Sequence, residues 1–97
     1  MIEIRETDRF SEWLQALKDS RAKARIAART QRLAFGNPRD VRPVGEGVSE
    51  LRIDYGPGYR VYYVQRGKVL IVLLCGGDKG SQEKDIKLAL KLAKEAQ

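Results

Sequence analysis

Histidine is absent from this chain, cysteine occurs once, and the longest apolar run, Val69–Cys75, has seven residues. Without histidine there is no Ser-His or Cys-His nucleophile pair, no histidine-ligated metal, and no side chain whose ordinary pKa lies near neutrality. A single cysteine forms no internal disulfide and no Cys-based zinc motif. Seven apolar residues fall far short of the roughly 20 that cross a bilayer as a helix. The opening Met1-Ile2-Glu3-Ile4-Arg5-Glu6 has acids and no apolar core, so no secretory leader is expected and the protein reads as cytoplasmic. Asp78 and Asp85 are a thin basis for a magnesium site, and no metal or cofactor is expected. Proton transfer, if the protein is an enzyme, falls to Tyr, Lys, Asp or Glu.

What is present is positive charge. Nineteen Lys and Arg against thirteen acids give +6 over 97 residues, enough chain for one domain, 1–97. A small basic domain suits nucleic acid, because neutralising phosphates releases counterions. A solvated lysine-rich surface gives the same arithmetic.

Ile2–Glu6 alternates apolar and charged residues and predicts a short strand. Thr7 or Asp8 caps the first helix, in which Phe10, Trp13, Leu14 and Leu17 make one face with Trp13 in the core. Asp19-Ser20 caps a second helix over about 21–35, closed by Gly36-Asn37-Pro38. That helix carries Arg21, Lys23, Arg25, Arg29 and Arg32 and no acid. Its four arginines fall within roughly an 80° arc at about 100° per residue. Such a flank either faces phosphates or an acidic partner, or is a solvated face. Residues 36–47, with Arg39 and Arg42, read as a loop. Val48–Tyr55, Tyr59–Gln65 and Lys68–Gly76 read as three strands, the last apolar on both faces and so interior. Ser81 is expected to cap a C-terminal helix.

The order is β-α-α-β-β-β-α, an α+β fold with a mostly antiparallel sheet. A helical hairpin covers one face and the C-terminal helix part of the other. With Gly56–Gly58 as a three-residue loop, Asp54 pairs with Arg60 and Arg52 with Tyr62, all on one face. With a tight turn at Arg66-Gly67, Ile71 and Leu73 form an apolar floor beside Tyr62 and Arg60. Lys79 reaches the same region. Two guanidiniums and an ammonium then aim at one phosphate-sized spot. Alternatively, Asp54 and Arg60 are a plain cross-strand ion pair and Arg52 is solvated. The Gly76–Ser81 run lacks the spacing of a P-loop.

The element order, the Gly58-Tyr59-Arg60-Val61-Tyr62-Tyr63 strand, the Glu50–Tyr55 run before Gly-Pro-Gly-Tyr-Arg, and the Cys75–Ile86 segment together resemble the RelE/ParE toxin superfamily, in its HigB-like addiction-module branch. The resemblance implies a bacterial type II toxin that cleaves mRNA on the ribosome. It also implies a co-encoded helix-turn-helix antitoxin and no membrane partner. By position, Arg60 matches the arginine at the scissile phosphate, and Arg52 and Lys79 match basic residues flanking it. On this reading Arg52, Arg60, Tyr62 and Lys79 are catalytic, with Tyr62 stacking on a base or relaying a proton. Arg21, Arg25, Arg29, Arg32, Arg39, Arg42 and Lys84 contact RNA or the ribosome. The tyrosine or histidine that several members carry near the C-terminus has no counterpart after Tyr63. A ParE-like toxin that binds DNA gyrase without cutting RNA is the alternative.

Overall fold

The computed structural model describes residues 1–36 and 38–95. Its elements are β1 (Glu3–Glu6), α1 (Asp8–Ala16), α2 (Ser20–Leu33), β2 (Val41–Gly45), β3 (Val48–Ile53), β4 (Tyr59–Arg66), β5 (Leu70–Gly77), a 3-10 turn (Lys79–Ser81) and α3 (Gln82–Glu95). The five strands form one sheet in the order β1-β5-β4-β3-β2. All neighbours are antiparallel except β1, which runs parallel to β5. The α+β class and the two-sided helix cover are as expected.

Local chemistry sets the element ends. The Thr7 hydroxyl accepts from the Phe10 amide and donates to the Leu74 carbonyl, so one side chain caps α1 and ties it to β5. Asp19 accepts from the amides of Arg21 and Ala22 and caps α2. Gly36, at φ +71°, turns the chain out of that helix. Asn37, expected in the same stop signal, lies outside the described residues. Ser81 immediately precedes α3, and the 3-10 turn that leads into that helix is itself capped by Asp78, with Ser81 completing a reciprocal capping box from the third position.

The alternation of each strand splits the core in two. Phe10 of α1 and Ile26 and Leu33 of α2 pack on Leu51, Ile53, Val61, Tyr63, Ile71 and Leu73. Ala89 and Ala93 of α3 pack on the other face, against Val48, Tyr62, Val64, Val72, Leu74 and Cys75. β5 feeds both clusters, which is why its sequence is apolar throughout. Trp13 joins the first cluster, edge-on to Tyr59 with ring centroids 6.2 Å apart. Its indole lies where a side chain at position 76 would be, so Gly76 is the seat of that ring.

Three expectations need correction. Residues 36–47 are not all loop, because 41–45 form the edge strand β2, in which Arg42 pairs with Glu50. Pro43 hides this strand from a propensity reading, yet an edge strand tolerates proline because only one of its sides is hydrogen-bonded. The β3–β4 loop covers five residues, Asp54–Gly58, and so pairs Arg52 with Arg60 rather than with Tyr62. A slip of two residues keeps every side chain on its expected face. The β4–β5 turn is longer than Arg66-Gly67, with Arg66 opposite Leu70 and a bulge at Tyr62/Tyr63. Ile71 and Leu73 therefore lie on the α1/α2 side. The neighbours of Tyr62 and Arg60 are Cys75 and Gly77.

Candidate functional site

Sheet register builds the site in two rows. One row runs Arg42, Glu50, Tyr62 and Cys75 across β2, β3, β4 and β5, and the next runs Arg52, Arg60 and Gly77. Alternation puts both rows on the α3 side of the sheet. At their centre is a residue that the sequence pattern did not mark. Glu50 has no exposed surface, and its carboxylate gathers the charged groups around it. Its Oε1 accepts from Arg42 Nε and from Arg52 Nε, each at 3.2 Å. Its Oε2 accepts from the Tyr62 hydroxyl at 3.2 Å and from Gln82 Nε2 at 2.8 Å. Arg60 Nε lies 3.9 Å from Oε2. Burial pushes the Glu50 pKa up. The hydrogen bonds from Gln82, Arg52 and Tyr62 and the Arg42 charge outweigh it, holding the carboxyl below its usual range.

Arg60 is almost fully buried, at 7% exposure. Its Nη1 donates to the Gly58 carbonyl at 2.7 Å, while its Nε, also out of water, has no hydrogen-bond partner. The loop above it is tight. Gly58 sits at φ +79°, and a Cβ there would lie 3.1 Å from Arg60 Nη1 and 3.6 Å from Lys79 Cβ. Glycine is therefore needed twice, for the backbone and for the close approach. The Lys79 amide donates to the Pro57 carbonyl, which fastens the start of the 3-10 turn to the same loop. Lys79 itself is exposed. It lines an open hollow of about 440 Å³ with Arg42, Gly80, Gln82, Glu83 and Ile86. Lys84 borders a neighbouring hollow with Glu83 and Lys87.

The structure thus brings Arg42, Arg52, Arg60, Tyr62 and Lys79 together, with Lys84 next to them. Asp54 is an exposed loop residue, so the expected Asp54–Arg60 pair does not form and Glu50 supplies the carboxylate instead. Tyr62 also departs from its expected role. It is fully buried, with its pKa raised by burial and by the Glu50 charge, so it holds Glu50 and offers no ring to a base. Glu50 and Gln82 were missed because their meaning lies in cross-strand register. Along the chain Glu50 is an ordinary member of the polar face of an alternating strand, beside Arg52, so no local signal marked it.

The arginines of α2 lie on the opposite side of the sheet. Arg29 donates from Nη1 to the Arg52 carbonyl at 3.2 Å and from Nη2 to the Arg39 carbonyl. Arg25 lies over the Tyr55 ring at 4.7 Å, and the Tyr55 hydroxyl donates to Asp19. These two arginines fasten α2 to β3 and its loop, which explains part of the helix's one-sided charge. Arg21, Arg32 and Arg39 are exposed.

Residues 12–96 match the family described as phage derived protein Gp49-like (DUF891). The chain belongs to the Gp49-like family. That family is related to toxin–antitoxin systems, and the match takes in all the elements of the site just described. The chain is also similar to an uncharacterized protein of Haemophilus influenzae (strain Rd). The two are 55% identical over 94 residues, which is 97% of this chain and 95% of that protein. Among the described residues, this Gp49-like protein has no helix long and apolar enough to cross a membrane.

Proposed function

We propose that this Gp49-like protein is the toxin of a HigB-like type II toxin–antitoxin system and cuts mRNA on the ribosome. The observation that supports this reading is the convergence of Arg42, Arg52 and Arg60 on one carboxylate, with Lys79 lining the same open hollow as Arg42. Four cations against Glu50 and Glu83, the latter also lining the hollow, leave a net positive site. An anion of the size and charge of a phosphodiester neutralises it.

RNA carries its own nucleophile. The 2′-hydroxyl attacks the adjacent phosphorus, a 2′,3′-cyclic phosphate forms, and the 5′-oxygen of the next nucleotide leaves. The proton of the 2′-hydroxyl passes to water or to a ribosomal group. The Lys79 ammonium donates to the leaving oxygen. Arg52 and Arg42, each about half exposed, present their terminal N–H groups to the phosphoryl oxygens. Arg60 adds its charge from below. Charge stabilisation of this kind is commonly the largest single catalytic term. Alignment by the ribosome supplies much of the rest. The exposed Arg21, Arg32, Arg39 and Lys84 contact ribosomal or messenger RNA phosphates. The partner that silences the toxin is a helix-turn-helix antitoxin.

One observation favours the ParE-like alternative of a gyrase binder without nuclease activity. Tyr62 and Glu50 are sealed, so Lys79 is the one sequence-predicted catalytic group on the rim that can exchange a proton. Primer extension on translated mRNA after induction separates the two readings. Cleavage within codons is the expected result. An SOS response without cleavage overturns the nuclease reading.

A further inference from the structure

We infer that Glu50 is the positioning residue of this site, its Oε1 aiming the guanidiniums of Arg42 and Arg52 so that their terminal N–H edges meet one phosphate as a clamp. The inference rests on the phosphate-binding reading above. A carboxylate wholly out of water is costly unless paired, and Glu50 is paired differently at its two oxygens. Oε2 takes the two neutral donors, Tyr62 from β4 and Gln82 from the first turn of α3. These lock the carboxylate to the body of the fold. Oε1 takes the two cationic donors, both through Nε. Nε is the guanidinium nitrogen nearest the chain, so holding it sets the plane of the group and leaves the terminal Nη1/Nη2 edge for another acceptor. Among the described residues, neither arginine's side chain makes another hydrogen bond, and their side chains are 53% and 45% exposed. Arg42 is opposite Glu50 in register and Arg52 is two residues further along β3, so both edges project from the same face. Glu50 does not itself touch substrate. It has no exposed surface and already accepts four hydrogen bonds.

Positioning and simple electrostatics predict opposite signs. Removing a carboxylate from an anion site should tighten anion binding if charge alone matters, and should loosen it if the carboxylate aims the cations. The experiment is calorimetric titration of the full chain with inorganic pyrophosphate at low salt, with folding checked by circular dichroism. Glu50→Ala should bind about tenfold more weakly, a loss comparable to one hydrogen bond to a charged group. Glu50→Gln, whose amide oxygen can still accept both Nε–H groups, should recover most of that loss. If Glu50→Ala does not fold, Tyr62→Phe replaces it. This variant removes an anchor of the carboxylate at constant charge and should weaken binding by about threefold. The inference is overturned by unchanged or tighter binding in a folded Glu50→Ala, by no recovery in Glu50→Gln, by wild-type affinity in Tyr62→Phe, or by wild type that does not bind pyrophosphate. The titration needs no ribosome, so a wild type that binds pyrophosphate but leaves translated mRNA intact on induction removes the nuclease reading and leaves the clamp standing.

Discussion

Replacing Arg60 by Met takes away a charge while keeping most of the buried volume, and the structure allows its cost to be worked out. Two terms hold the arginine in place. Its Nη1 bond to the Gly58 carbonyl, from a charged donor, is worth about 1.5–3 kcal/mol. Its attraction to Glu50 at 3.9 Å is about 4 kcal/mol at an effective dielectric of about 20. Two terms oppose it. Taking a guanidinium out of water costs several kcal/mol, and the Nε without a partner adds about 1–3 kcal/mol. The sum is close to zero, as for many buried ion pairs set against an apolar isostere. In Arg60→Met, Glu50 keeps its four hydrogen bonds and the Gly58 carbonyl loses a side-chain donor. We therefore expect a loss of at most about 2 kcal/mol, a fall in Tm of up to about 15 °C for a domain this size. Loss of a directly bonded donor to transition-state charge costs about 100- to 1,000-fold in rate, and loss of the Arg60 charge beneath the phosphate should approach the lower figure. The assay pairs a circular-dichroism melt with growth arrest and mRNA cleavage on induction. The expected variant is folded and inactive. A folded Arg60→Met that cleaves within tenfold of wild type refutes the placement of Arg60 at the phosphate. A loss above about 4 kcal/mol refutes the energetic argument and makes the arginine structural.

Gly76→Ala places a methyl on the indole of Trp13 and should cost about 1–3 kcal/mol by urea denaturation, with a red-shifted emission maximum from the single tryptophan. A variant as stable as wild type would show that Trp13 moves aside freely. Glu50 has a depressed folded-state pKa, so its contribution is present above the unfolded value and is lost as pH falls through that value toward the folded one. The wild-type urea midpoint should fall as pH drops below about 4.3, and more shallowly in Glu50→Gln. Asp19 is also held low, chiefly by the Tyr55 hydrogen bond, and contributes a slope with the same sign in both proteins. Equal slopes in the two proteins would show that Glu50 does not titrate there.

Composition and periodicity determined a good deal. The helical face of Phe10, Trp13 and Leu14, the capping Asp19, the two-faced apolar β5 and the α+β class are local properties, and each is found as expected, while Leu17 packs on the same core from the extended residue that ends the helix. The shared face of Arg52 and Arg60 was also legible, because an error of two in register preserves side-chain direction. Other features depend on pairing between distant segments. Pro43 and two nearby glycines disguise β2 until β3 supplies its partner, and with β2 comes Arg42. The odd-numbered slip at β4–β5 moves Ile71 and Leu73 to the other face, and no local pattern reports the length of that turn. The arginine flank of α2 looked like one binding surface. The fold commits Arg25 and Arg29 to holding β3 and its loop. Glu50 is the clearest case. In one dimension it is a lone acid in a strand, whereas in three it lies among Arg42, Arg52, Arg60, Tyr62 and Gln82. Hydrophobic period is written along the chain, and it reports which way a side chain points. Which charge it then meets is decided by strand register and helix docking, and these exist only once the sheet has formed.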